Sequence, residues 1–331
     1  MTGRITPLLP VLLAAVALTS CGKKEASTGS PSEPGARRYK IGFANLAEDG
    51  PFFVSVREGI QRAAREAGNV DLVIADNRLQ GDVALANAEN FLTQKVDGVI
   101  EFQTDEKFGR VIMEKFNQAK VPVIAIDIPM PGATFFGVDN YPAGRMAGEG
   151  LGKWIKANWG GKVDNLIMLE LPQSGERPAQ RMKGQRDGLE SIVGKIPEDK
   201  VRHLDSKNTL EEARRLVLDT LTTLPDARHI AIVCINDDTA LGAINAAETA
   251  GRKKDIAVCA VDASARGREE IRKPDSPQVG STASFPEKYG DKLIPLIIRA
   301  VNGEKLKDAY YTDHVFITRE NVDKYYPNDK K

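Results

Sequence analysis

A doubly wound α/β fold in two lobes is predicted by three features of the 331-residue sequence. From Tyr39 onward, short apolar runs alternate with segments of helical periodicity. The runs are continuous in Val, Ile and Ala instead of alternating with polar residues, as expected of parallel strands covered by helices on both faces. The alternation also comes as two successive series, in a chain long enough for roughly two hydrophobic cores.

The first series opens with a strand at Lys40–Ala44. Phe53, Val56, Ile60, Ala63, Ala64 and Ala67 then share one helical face, with Arg57, Glu58, Arg62, Arg65 and Glu66 elsewhere, and Gly68 closes that helix. Strand Asp71–Ala75, helix Asp82–Gln94, strand Gly98–Phe102, helix Glu106–Ala119 and strands Val121–Ile126 and Phe135–Val138 follow. After Asp139-Asn140 the second series runs through helix Ala143–Trp159, strand Asn165–Leu169, helix Gln180–Ile192 and strand Val201–Leu204. It continues with helix Leu210–Thr223, strand Ile230–Ile235, helix Thr239–Ala250 and strand Ile256–Val261. Cys234 and Cys259 each sit in an apolar run without metal-site spacing, so two buried thiols are expected in place of a bridge.

The N-terminus reads as an export signal. Arg4 precedes the apolar stretch Leu8–Leu18, shorter than the roughly 20 residues that span a bilayer. The order Leu18-Thr19-Ser20-Cys21 resembles the bacterial lipobox, which implies that residues 1–20 are removed and that Cys21 is acylated and held in a lipid membrane; the alternative is an ordinary signal peptide with an incidental cysteine. Residues 21–38, rich in Ser, Gly, Pro, Glu and Lys, cannot bury enough surface to offset their ordering entropy and are expected to be a tether. A formal net charge of +0 with no basic run argues against a nucleic-acid partner.

In doubly wound sheets ligands bind beyond the carboxyl ends of the strands, so chemistry is expected just after each one. Those positions are rich in acids, amides and aromatics, poor in nucleophiles, and hold no histidine. Six of their motifs carry a resemblance: Gly-Pro-Phe-Phe at 50–53, Pro-Val-Ile-Ala-Ile-Asp at 122–127, Val-Asp-Asn at 138–140, Arg-Met-Lys-Gly at 181–184, Ile-Asn-Asp-Asp-Thr-Ala-Leu-Gly at 235–242 and Ala-Val-Asp at 260–262. In order and spacing they resemble the periplasmic ribose/galactose-binding family, whose fold is shared with lactose-type repressors; the likeness runs from Tyr39 to about Arg319.

The resemblance implies two lobes, 39–139 plus 285–314 and 140–284 plus 315–331, with crossings near Val138–Asn140, Ser284–Phe285 and His314–Val315. It implies a monomer that closes over a small neutral sugar or polyol, presents it to the permease of an ABC importer, and needs no cofactor, metal or catalytic residue. Phe52 and Phe53 match the aromatic pair that stacks on sugar C–H faces, with Phe53 the stacking residue; the alternative is core, although two adjacent helical residues are not expected both to face inward. Asp127, Asn140, Arg181, Asn236 and Asp262 match hydroxyl-binding groups, where ionised groups and the guanidinium fork make strong hydrogen bonds. Capping is the alternative for the acids and amides, and an exposed helical position for Arg181. Ser284 matches a hinge-side contact, and Asp49, Glu101, Gln103, Asp105 and Glu176 are further polar candidates. The ribose-type pattern is broken by Gly50 where it has Asn, by Ile128 where it has Arg, and by Phe102 or Gln103 in place of an amide.

Three rival readings compete with this one. A glycosidase needs paired carboxylates across a cleft, a role for Asp127 and Asp262, but no nucleophile elbow, phosphate loop or metal spacing is present. A transcription regulator needs an N-terminal helix-turn-helix where this chain has a signal and tether. A receptor serving a chemoreceptor or sensor kinase keeps the same binding and changes only its output.

Overall fold

The computed structural model describes Gly3 and residues 37–103, 106–172 and 175–330. The rest of the signal segment, Cys21, the tether up to residue 36, and Asp105 lie outside the described residues.

The first sheet is wholly parallel, in the order β11-β5-β4-β3-β1-β2. Its strands are β1 (Tyr39–Asn45), β2 (Val70–Asp76), β3 (Gly98–Glu101), β4 (Val123–Ile126), β5 (Thr134–Gly137) and β11 (Ala309–Tyr311). Helices α1 (Pro51–Ala67), α2 (Gly81–Thr93), α3 (Glu106–Gln118) and α9 (Tyr289–Val301) accompany it. Period-two alternation explains why both faces are apolar. Ile41, Phe43, Ile100, Ile124 and Ile126 join the core beneath α1 and α9, while Val99, Val123 and Ala125 enter the core beneath α2 and α3.

The second sheet repeats the order as β12-β10-β9-β8-β6-β7. It contains β6 (Asn165–Glu170), β7 (Val201–Asp205), β8 (Ile230–Cys234), β9 (Ile256–Asp262), β10 (Gln278–Ala283) and β12 (Val315–Ile317), the last antiparallel to its neighbour. Its helices are α4 (Asn140–Trp159), α5 (Glu176–Val193), α6 (Leu210–Thr222), α7 (Asp237–Thr249), α8 (Ala265–Arg272) and the short α10 (Val322–Tyr325). The same alternation sends Cys234 into one core and Cys259 into the other, so the two buried thiols sit on opposite faces and stay unbridged.

The chain passes between the sheets three times: from β5 into α4, from β10 toward α9, and from β11 into β12. Two helices begin earlier than their apolar periodicity predicts. α4 starts at Asn140 and α5 at Glu176, because Pro142 and Pro178 fall in the first turn, where a missing N–H costs nothing. Among the described residues no helix is long and apolar enough to cross a membrane.

Candidate functional site

Backbone strain gathers at the carboxyl ends of the strands. Asp127, directly after β4, has φ 52°; Asp262, the last residue of β9, has φ 116°, and Ala263 has φ 51°. Non-glycine residues persist in such conformations only where the surroundings over-determine them, and such sites cluster where ligands bind.

Asp127 is held by both its neighbours and a gap. Its Oδ1 accepts the Val138 N–H at 3.1 Å and its Oδ2 accepts the Tyr289 hydroxyl at 3.5 Å. Gly137 makes this possible, since a Cβ there would stand 2.3 Å from Asp127 Oδ1. Burial raises the Asp127 pKa to about 6, opposed by the Val138 N–H, the Arg181 charge and the Tyr289 hydroxyl.

Arg181 gathers the second lobe's groups. Its Nε donates to Asn140 Oδ1 at 2.9 Å, one terminal nitrogen donates to the Ile235 carbonyl at 2.8 Å, and the same nitrogen lies 3.6 Å from Asp262 Oδ1. The Arg181 side chain is only 14% exposed, which removes the reading of a solvated helical arginine. Asn140 is tied to Arg181 and caps nothing through its side chain, and neither does Asp139. Burial lifts the Asp262 pKa to about 7; Arg181 opposes the shift while Asp237 and Asp127 add to it. Arg181 owes its place to a glycine seam between α4 and α5. A Cβ on Gly144 would meet the Arg181 carbonyl at 2.0 Å, one on Gly148 the Gln185 carbonyl at 1.9 Å, and one on Gly184 the Tyr141 carbonyl at 2.3 Å.

The first lobe brings aromatic rings to the same place. Phe52 and Phe53 meet edge to face with centroids 5.9 Å apart, and both contact Phe102, at 6.4 and 5.6 Å. Phe52 also meets Tyr289 at 6.0 Å. The expectation that the adjacent pair would not both turn inward is corrected: both rings are half-buried against one core, because they occupy the first turn of α1 just after Pro51, where the chain is entering the helix. Gly50, a departure from the ribose pattern, has a physical consequence: a Cβ there would stand 2.6 Å from the Phe53 ring, so the ring fills the space a longer residue would take. Buried Asn45 fixes this loop by donating to the carbonyls of Ala47 and Phe53, at 2.7 and 3.2 Å. Ile128, the second departure, packs against the first-lobe core and brings no charge.

Contacts run from Phe53 through Phe52 and Tyr289 to Asp127, whose carboxyl feels the Arg181 charge, and Arg181 in turn bonds Asn140 and lies beside Asp262. The remaining candidates stand differently. Asn236 caps α7, its Oδ1 accepting the Thr239 N–H at 3.0 Å and its amide nitrogen donating to Asn208 at 2.8 Å; it adjoins the cluster through Ile235. Ser284 is buried beside Tyr289. Gln103 is fully buried with its amide over Gly109 of α3, and Asp49 is exposed in the loop before α1.

Sequence reasoning misses two groups, Tyr289 and His314, and offers Asp237 only as a strand-end position and Glu101 only as a further polar candidate. Tyr289 bridges the aromatic and acidic halves, yet no strand end or motif announces it. His314, on the third crossing, accepts the Asp139 N–H at 3.3 Å, so a histidine does adjoin the region; burial lowers its pKa. Asp237, buried under Gly267, accepts the Ser264 N–H and thereby anchors the loop after Asp262. Glu101 is fully buried, hydrogen-bonded to Asn77 at 2.9 Å, and raised by burial to about 8. Proximity to Asp262 and Gly267 in the fold, not in sequence, is what marks Asp237.

Aromatic edges, carboxylates, an amide and one guanidinium suit a ligand with apolar faces and hydroxyl edges. No group of three or more metal-binding side chains occurs among the described residues. The profile of the periplasmic binding protein domain matches residues 41–305. A ribose import binding protein of Salmonella typhimurium is 27% identical over 273 residues, covering 82% of this chain and 87% of that protein. An ABC transporter periplasmic solute-binding protein of Actinobacillus succinogenes, solved with D-allose, superposes with a TM-score of 0.75 at 21% identity, over 87% of this chain and 100% of that one. A solute-binding protein of Bacillus halodurans, solved with myo-inositol, does so with a TM-score of 0.73 at 20% identity, over 89% and 99%. The chain belongs to the periplasmic binding protein family, which makes it a solute-binding component of transport and not an enzyme.

Proposed function

We propose that this protein binds a small neutral sugar or polyol between its two lobes and delivers it to the permease of an ABC importer, tethered to a bacterial membrane through acylated Cys21. The observation that carries the reading is that Tyr289 joins the Phe52–Phe53–Phe102 rings to Asp127, and that the charges of Asp127, Arg181 and Asp262 act on one another. The rings offer a surface for C–H faces; the carboxylates and the guanidinium offer charge-assisted partners for hydroxyls. Relatives and neighbours named for ribose, D-allose and myo-inositol support a pentose, a hexose or a cyclitol as the class. Gly50 and Ile128, which remove an amide and a cation from the ribose pattern, favour a ligand other than ribose.

The proposed lobes are 39–139 plus 285–314 and 140–284 plus 315–331. Contacts from both stabilise a closed form because the open form lacks half of them, and that differential is the driving force for closure. Thermal-shift screening against monosaccharides, alditols and cyclitols tests the ligand class. A ligand at 100 times its Kd adds about 2.7 kcal/mol of stability, so one clear hit is expected. Hits confined to amino acids, peptides or anions would contradict the reading.

A further inference from the structure

At the crossings lies a cavity of about 220 Å³ whose residues the proposed sugar site does not use, apart from Ser284 and Tyr289. Its walls come from both lobes and from the crossings: Phe136, Phe285 and Tyr289 supply rings, Val315 and Tyr325 close the far side. Phe285 is held at φ 54°, which places its ring against Tyr326 in a stacked pair at 5.8 Å. A left-handed phenylalanine is a position the fold over-determines.

Buried polar groups line this apolar space. Thr312 is 8% exposed and its hydroxyl has no protein partner; Ser284 is 1% exposed and its hydroxyl has only the Tyr289 phenol beside it. A buried hydroxyl left without a partner bears its full desolvation penalty. Two ammonium groups stand at the rim. Lys292 pairs with Asp313 at 3.2 Å, but Lys288 has no carboxylate within ion-pair distance among the described residues, and its ammonium rests 4.5 Å from the centre of the Phe285 ring. Ring walls, inward hydroxyls and an unpaired cation are together complementary to a flat apolar body carrying one negative charge. The volume equals that of about seven liquid waters, the size of a single ring with a carboxylate.

We propose that this hinge cavity is a second binding site, separate from the sugar cleft, that takes a small aromatic carboxylate: its ring lies among Phe136, Phe285 and Tyr289, and its carboxylate meets Lys288 and the Thr312 hydroxyl. Tyr289 belongs to both sites, its ring lining the cavity and its hydroxyl reaching Asp127.

Titration of the purified protein with benzoate, read by ligand-observed NMR and calorimetry, tests this, with benzyl alcohol as the uncharged probe of similar shape. Benzoate is expected to bind saturably at millimolar concentration or below, and benzyl alcohol about tenfold more weakly. Lys288→Met and Thr312→Val are each expected to weaken benzoate by about three- to tenfold. Val315→Phe, which fills the cavity, is expected to abolish binding; Tyr325→Trp, filling it from the other side, replaces that variant if it does not fold. Arg181→Ala is expected to leave benzoate affinity unchanged. The proposal is overturned by absent saturation, by equal affinity for benzyl alcohol, by undiminished binding in the filled variant, or by loss of binding in Arg181→Ala, which would put the probe in the cleft.

Discussion

The two lobes share one strand order but build their sides of the proposed cleft by different means. In the first, the groups are aromatic and held by ring contacts: Phe52, Phe53, Phe102 and Tyr289 touch one another edge to face, and Asp127 is the one acid among them. In the second, the groups are polar and held by backbone. Arg181 is fixed by the glycine seam of α4 and α5, by Asn140 and by the Ile235 carbonyl, and Asp262 by the strained end of β9 and the Asp237–Ser264 anchor. Rings tolerate small shifts because dispersion and burial are non-directional. Hydrogen bonds do not, because they weaken steeply with misalignment. Both lobes lock helices backbone to backbone, since a Cβ on Gly290 of α9 would stand 2.2 Å from the Gly59 carbonyl of α1; the contrast lies in the side chains those helices carry, directional ones in the half proposed to read hydroxyls.

That contrast can be broken most strongly at Gly144. Gly144→Ala drives a Cβ to 2.0 Å from the Arg181 carbonyl, and is expected to lose about 3 kcal/mol or more in denaturant unfolding, with ligand affinity falling too. Gly160→Ala, at a helix end with open space but φ 61°, is expected to cost about 1 kcal/mol and to spare affinity. Next in size, Asp262→Ala is expected to weaken ligand binding ten- to a hundredfold, from loss of a charge-assisted bond of about 1.5–3 kcal/mol, in calorimetric titration.

The acids of the two lobes also give a pH signature. Asp127 and Asp237 near 6, Asp262 near 7 and Glu101 near 8 all lie above the roughly 4 of an unfolded carboxyl. The folded state therefore binds more protons, and the stability these groups supply, complete below about pH 4, is lost as pH rises through 6 to 8. Asp164, whose pKa is depressed by the Arg228 and His229 N–H groups and the His229 ring against an opposing burial effect, acts oppositely and loses its contribution as pH falls below about 4. The melting temperature is thus expected to drop by at least about 2–4 °C between pH 5 and pH 8, equivalent to roughly 1 kcal/mol. Glu101→Gln should flatten the slope near pH 8 and Asp262→Asn that near pH 7; slopes unmoved by either would place the titrating groups elsewhere. The smallest effect is expected at Asn236→Ala, about 1 kcal/mol of stability from the lost cap with less change in affinity than Asp262→Ala.

The architecture was legible because continuous apolar runs and helical faces are local signals. The strand ends at Asp127 and Asp262 followed from them, and the structure joins Asp127, Asn140, Arg181 and Asp262 into one cluster. Legibility failed beyond Asp262. α9 carries Pro295 inside it, and β11 and β12 are three residues each, too short to show a period. Tyr289 and His314 were lost with them, since both reach the cluster from crossings whose geometry no local pattern encodes. Asn236 shows the limit of residue type alone: an amide at a strand end satisfies a helix cap and a binding role equally, and here its carbonyl oxygen makes the cap.

The central claim is that both lobes grip one ligand, and it is tested most directly by calorimetric titration of the sugar or polyol found by screening into wild type, Phe53→Ala and Arg181→Ala. The account expects both variants to bind more weakly, Arg181→Ala by about ten- to a hundredfold and Phe53→Ala by a smaller factor, with folding unchanged. Wild-type affinity in either variant would mean that one side of the cleft does not touch the ligand, and would contradict the account.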